Sequence, residues 1–266
     1  MFEWTVLDYL PEWLFFLFSL SISLGSVELG YRVGLLRHLS LVGEEEKDSP
    51  TGGIVAATLG LLAFLLGFTF SMAAERFEVR RELFEQEVNA IRTTQLRTHF
   101  LPAESAARAR KWLREYVDAR VEALNSSSDL DALLRQSAEL QKLLWSDAIA
   151  AGKESPESGP VAMYVDSLNR MFDLQSQRLT AGVRARIPKR IWGGLFLAAV
   201  VAMCSMGYQA GLANSARPFA AIGMALCFVI AMQLTLELDR PGDHLLSIDP
   251  AAMIELQRSM RAEMGG

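Results

Sequence analysis

Residues 53–75 read GIVAATLGLLAFLLGFTFSMAAE, 22 residues without a charge closed by Glu75. A bilayer's hydrocarbon core takes about 20 mostly apolar residues in a helix, so this stretch reads as a membrane span. From Glu75 to Thr98 there is neither glycine nor proline. The helix is therefore expected to run on past the span as one long rod, with Phe77, Phe84, Val88, Ile91 and Leu96 marking a partly buried face. Working outward, residues 191–213 and 218–236 are also uncharged. Residues 12–30 form a fourth, weaker run, diluted by Ser19, Ser21, Ser23 and Ser26 and interrupted by Glu28. Serine can bond back to the helix's own carbonyls, so the dilution does not forbid spanning.

The composition of the 266 residues agrees with this segregation: 51% are hydrophobic, yet 21% are charged. A mean hydropathy of +0.19 beside so ordinary a charge content excludes a disordered chain and a collagen-like one. Most charge falls in one block, 75–190, with 19 Lys and Arg against 17 Asp and Glu. The net charge of −5 argues against a nucleic-acid binder. Cys204 and Cys227 both sit in apolar runs and read as small hydrophobes. His38, His99 and His244 are scattered, so no local metal pattern can be built from them. The N-terminus carries Glu3 and Asp8 without a basic region or cleavage site, so the first run reads as a retained anchor.

The expected fold is all-α and membrane-embedded: four transmembrane helices with a cytoplasmic helical insert between the second and third. The boundaries are a first helix pair at 1–74, a helical domain at 75–190, a transmembrane hairpin at 191–237, and a turn with an amphipathic helix at 238–266. Asn214, Arg217 and Pro218 form the hairpin turn. Within the insert, helices are expected from Pro102 to Asn125, from a Ser128 cap to Gly152, and from about Val161 to Ile187, with 153–160 as a loop. Asp249-Pro250 opens the terminal helix, whose apolar side is Ala252, Met253, Leu256 and Met260. Lys and Arg bias sets orientation. Arg76, Arg80, Arg81 and Arg92 follow the second span, and Arg178, Arg184, Arg186, Lys189 and Arg190 precede the third. This places the central block and both termini in the cytoplasm, with Arg32 and Arg37 dissenting.

No catalytic motif is present: no phosphate loop, no G-x-S-x-G, no H-E-x-x-H and no cysteine pairs at metal spacing. No enzyme, cofactor or metal centre is expected. The informative helix is again the second span. With Gly60 at zero and about 100° per residue, Phe64 falls at about 40°, Gly67 at about −20°, Phe68 at about 80°, Ser71 at about 20° and Glu75 at about 60°. Two readings stand. Gly60 and Gly67 allow close helix packing, with the rings filling gaps. Alternatively the face lines a pore: Leu61, Phe64, Phe68 and Ser71 form a constriction that gates by dewetting, with Glu75 at its inner mouth. Glu28, the ionisable residue inside a proposed span, is either functional or reaches the interface. The acidic turn Asp239, Arg240, Pro241, Gly242 and Asp243 can hold a cation or pair with Arg184, Arg186 or Arg190; its spacing is not that of an EF-hand.

The segments LLAFLLGFTFS at 61–71, RRELFEQEVNAI at 80–91 and LDRPG at 238–242 resemble the bacterial bestrophin-like membrane family, and the order of spans agrees over most of the chain. The resemblance implies a pentameric channel of the inner membrane conducting small anions, with lipid and further copies of itself as partners. It implies that Phe64 and Phe68 are neck residues and that 239–243 is the turn after the last span. The chain departs at that turn. Pro241 is followed directly by Gly242, and the dense acidic run that would clasp calcium is missing, so calcium gating is not implied. The rival reading is a non-conducting sensor or scaffold whose cytoplasmic helices bind a partner protein.

Overall fold

A computed structural model describes residues 11–40, 51–125, 130–183, 186–214, 219–240 and 248–263. Those residues are helical, with short connections. In chain order the helices are α1 (Glu12–Ser40), α2 (Thr51–Arg97), a 3-10 turn (Thr98–Phe100), α3 (Ala103–Asn125), α4 (Leu130–Glu154), α5 (Gly159–Val183), α6 (Lys189–Leu212), α7 (Phe219–Asp239) and α8 (Ala251–Ala262). Four of them, α1, α2, α6 and α7, are long and apolar enough to cross a membrane. The weak first run is thus one uninterrupted helix. The helix α2 is indeed a single rod of 47 residues. At 1.5 Å per residue it is about 70 Å long, over twice a bilayer's hydrocarbon core of about 30 Å, so its charged half lies beyond the core.

The chain divides into two compact units. The first comprises residues 1–77 and 186–240. Here α1 and α6 lie backbone against backbone. A Cβ on Gly30 or Gly34 would overlap the carbonyl of Cys204 or Tyr208, and a Cβ on Gly207 or Gly211 would overlap that of Val27 or Tyr31. Van der Waals packing drives helix association in lipid, and small residues permit such approach. Ser19, Ser23 and Ser26 continue the same buried face of α1, and Ser26 Oγ donates to Ile22 O at 2.7 Å. Phe15 closes the seam's other end edge-on to Trp192 and Phe196. Asn214 ends α6 at φ 43°, the left-handed region asparagine tolerates. Arg217 and Pro218 lie outside the described residues.

The second unit comprises residues 78–185 and 241–266. Its core gathers Phe84, Val88 and Ile91 of α2 with Leu113 and Tyr116 of α3, Leu144 of α4, and Leu168 and Met171 of α5. Met253, Leu256 and Met260 of α8 dock into the same core. Asp118 of α3 fastens that helix by accepting from Gln257 Nε2 at 2.7 Å and Arg261 Nη2 at 2.8 Å. One expectation fails: Leu96 is 58% exposed. Counting about 100° per residue, Leu96 falls ten turns from Gly60 and returns to 0°, whereas Phe84, Val88 and Ile91 cluster near −110°. The helix α4 extends two residues past Gly152 to Glu154, and α5 runs from Gly159, ahead of Pro160, to Val183, so Ile187, expected inside it, lies in the non-helical stretch before Pro188. Ser158 Oγ caps α5 by accepting from Val161 N–H at 3.4 Å. The Ser128 cap lies outside the described residues.

Candidate functional site

Among the described residues, the face of α2 singled out by its periodicity has no partner. Phe64 is 68%, Phe68 62% and Leu61 57% exposed. Ser71 and Glu75 are exposed on the same side. Gly60 and Gly67 meet nothing within 4 Å of an added Cβ. Among the described residues, then, neither glycine packs against a neighbouring helix. That work falls to Gly30, Gly34, Gly207 and Gly211. The opposite face of α2 is the packed one, where Leu62 and Ala73 are buried among α6 and α7 residues. Thr69 turns inward, its Oγ donating to Leu65 O at 2.7 Å.

The exposed face continues below the span. Glu78, Glu82, Glu85 and Asn89 fall at about 0°, 40°, −20° and 20°, and all four are exposed. Four carboxylates, from Glu75 to Glu85, thus extend the apolar stripe as an acidic one. Arg81 bridges two of them, reaching Glu78 at 3.8 Å and Glu85 at 3.3 Å. Both sides of these pairs are solvated, so each attraction is weak.

Glu28 does not join this face. It pairs with Arg32 on α1, Oε1 to Nε at 2.8 Å. The carboxylate that looked isolated inside a span is neutralised one helical turn away.

At the foot of α7, Asp239 and Arg240 are buried. Asp239 Oδ1 accepts the Ile187 N–H at 2.9 Å, and Oδ2 accepts Arg186 Nε–H at 3.4 Å. Arg76, the residue after Glu75, approaches Oδ1 at 3.9 Å. The Asp239 carboxylate thus pairs with Arg186. Pro241, Gly242, Asp243 and Arg184 lie outside the described residues. Among the described residues no three His, Cys, Asp or Glu side chains gather as a metal would require.

The second unit holds a charge cluster that motif reading missed. Glu87, past the uncharged run of α2, is fully buried between two guanidiniums. Arg120 Nε lies 3.1 Å from Oε1, and Arg178 donates to Oε2. Tyr116 OH donates to Oε1 at 3.2 Å. Burial raises the Glu87 pKa, but Arg120 and Arg178 together outweigh burial and hold it below its ordinary value. Burial and the same carboxylate push the Tyr116 hydroxyl up. Phe84 stacks under Arg178, whose guanidinium carbon is 4.8 Å from the ring centre. A second pair ties α3 to α4: Arg108 donates twice to Asp147 Oδ1, at 2.6 and 2.8 Å. These groups are closed on one another and scaffold the unit. The legible signal for Glu87 is its phase, three residues after Phe84 and four before Ile91, which puts a carboxylate on the apolar face.

A family model for the Bestrophin-like domain matches residues 33–253. The chain belongs to the Bestrophin-like domain family. The crystal structure of a bacterial bestrophin homologue from Klebsiella pneumoniae is similar to this Bestrophin-like chain with a TM-score of 0.67 at 17% identity, over 94% of this chain and 98% of that one. Two point mutants of that homologue give TM-scores of 0.71 at 16% identity and 0.69 at 15%, covering 94% and 95% of this chain and 99% and 98% of theirs. At such identities the likeness establishes the fold. A comparison with curated proteins finds no match.

Proposed function

We propose that this chain is the subunit of a homo-oligomeric ion channel of the bacterial inner membrane, a pentamer by resemblance, with small ions passing along α2. The observation carrying this reading is the exposed stripe of α2. It is apolar from Leu61 to Phe68 and polar at Ser71 and Glu75. Lipid suits the first half of such a face, while Glu75, which closes the uncharged run, and the carboxylates after it need water. A shared axis suits both: rings of Phe64 and Phe68 make a dewetting constriction and Glu75 lines the wet inner mouth. The insert and both termini are assigned to the cytoplasm by the Lys and Arg bias. Tagging the 153–160 loop and testing protease access from the cytoplasmic side checks that topology.

The family resemblance implies anions. The acidic extension of the stripe, Glu75 to Glu85, favours cations at the inner mouth, since rings of carboxylates concentrate them. Liposome flux with reversal potentials under a KCl gradient separates the two. A ring-forming oligomer with ion flux that rises in Phe68→Ala supports the channel. A monomer or dimer with silent liposomes sinks it and leaves the non-conducting scaffold. For that scaffold the exposed Leu143, Trp145 and Ile149 of α4 offer a partner surface.

A further inference from the structure

We propose that Asp239 is a positioning residue for the pore helix: its buried charge holds the inner end of α2, through Arg76, against the start of α6 and the end of α7. The proposal rests on the channel reading for its functional meaning and on geometry for its mechanical one. The Asp239 side chain is 3% exposed, while Arg76 and Arg186 are 26% and 21% exposed, so the carboxylate is the interior member of the cluster. Its three links reach two segments: residues 186–187, just before α6, and α2. The Ile187 N–H is the last donor before Pro188, which has none and opens α6. Arg186 precedes it in the chain. Arg76 belongs to α2 and adjoins Glu75, the last residue of the stripe.

The Arg76 link differs in kind from the others. At 3.9 Å it is too long for a hydrogen bond, and Arg76 Nη1 is buried without one. Apolar packing of Ala73, Ala74 and Phe77 in the cluster that holds Ile187, Leu236 and Leu238 brings α2 to this point; charge attraction from Asp239 adds to it, and burial of the carboxylate limits its screening. Removing the charge while keeping the shape therefore loosens the inner end of α2 without removing that packing. Asparagine at 239 still accepts the Ile187 N–H, so the entry to α6 is preserved.

The test uses the full-length oligomer with Cys204→Ser and Cys227→Ser, and Glu75→Cys as a reporter. The rate at which a water-soluble thiol reagent labels position 75 reads the placement of α2 whether or not the protein conducts. Asp239→Asn is expected to change that rate several-fold, and Arg76→Gln to change it in the same direction. The double variant is expected to be no more altered than either alone, as for residues acting through one contact. Asp239→Glu, which keeps the charge, is expected to stay near the wild-type rate. In parallel, wild-type reporter liposomes are assayed for flux, and Asp239→Asn is expected to alter open probability with unchanged single-channel conductance. A labelling rate unmoved by Asp239→Asn, or additive effects of the two substitutions, overturns the proposal. If Asp239→Asn fails to assemble, Arg76→Gln decides alone, and an unchanged rate there overturns it. Silent wild-type liposomes with a moved labelling rate overturn the channel and keep the latch.

Discussion

Glu87→Gln is expected to destabilise the helical unit of residues 78–185 and 241–266 more than any surface substitution in it. The substitution is nearly isosteric, so packing around Phe84, Val88 and Ile91 is kept. What it removes is the single anion between Arg120 and Arg178, whose side chains are 7% and 17% exposed. Two guanidiniums then face each other in a low-dielectric interior. Breaking a buried ion pair by removing one partner costs about 3–5 kcal/mol. For a unit of this size each kcal/mol moves the melting temperature by roughly 3–5 °C, giving a fall of about 10–20 °C. Size-exclusion chromatography of detergent-solubilised protein after stepwise heating reads this directly. The pH dependence has a definite sign. A carboxylate whose folded pKa lies below its ordinary 4.5 contributes fully above that value and loses its contribution as pH falls through the folded pKa. The deficit of Glu87→Gln is therefore constant from pH 8 to pH 5 and shrinks only below about pH 4.5. A fall under about 3 °C, or a deficit that already shrinks between pH 8 and pH 6, refutes the reasoning. An apolar replacement of all three, Glu87→Leu with Arg120→Met and Arg178→Met, is expected to be neutral or stabilising, because it removes the desolvation cost along with the attraction.

Gly207→Val drives a side chain into the Val27 carbonyl, so the oligomer is expected to be lost from detergent extracts, while Gly60→Ala, which meets open space, leaves its yield unchanged. Leu256→Ala empties a fully buried position under α8 and is expected to cost about 2–5 kcal/mol, read as a lower melting temperature or as early proteolysis of the C-terminal helix. Phe68→Ala is expected to raise basal ion leak in liposomes by widening the dewetted constriction. Joint Glu78→Gln, Glu82→Gln and Glu85→Gln is expected to shift the reversal potential toward that of anions without changing the oligomer.

The span count, the continuity of α2 and the exposed stripe were legible because each depends on local information alone: charge-free length, the absence of Gly and Pro after Glu75, and helical phase. The docking of α8 was legible for the same reason, since Met253, Leu256 and Met260 share one face. The packing glycines were not. Gly30, Gly34, Gly60, Gly67, Gly207 and Gly211 all sit in apolar helices at small-residue spacing, and which of them meet a neighbour depends on how each helix is rotated against its partner. Leu96 is apolar yet exposed because, ten turns along α2 from Gly60, the helical phase returns it to the outer face. The Glu87 cluster joins residues from α2, α3 and α5 that no local spacing relates. Its trace is only a charged residue where the phase of the helix asks for an apolar one, and the same trace marks Arg120, between Val117 and Val121.

One of the four membrane-length helices, α2, departs from what a water-soluble fold would produce. In water the most apolar helix is the one most fully enclosed, because burial of apolar surface is the main driving term. Here α2 has the most apolar window of the four and is the least enclosed by the described residues, while the slightly less apolar α7 is the most enclosed. Among the described residues nothing covers the outer face of α2. Lipid accounts for Leu61, Phe64 and Phe68, whereas Glu75 and the carboxylates after it on the same face need water. A second copy packed directly on the stripe would bury Glu75 and, below it, Glu78 and Glu82 against like charges, which is costly. An arrangement in which copies of α2 surround a water-filled axis, close where the rings are and wide where the carboxylates begin, leaves each half of the stripe in a medium it tolerates. Cysteines at positions 64 and 78 test this: on a common axis, Phe64→Cys cross-links between copies with a short oxidative bridge, while Glu78→Cys does so only with a longer reagent. Efficient short bridging at 78 would place the helices too close together there and refute the arrangement.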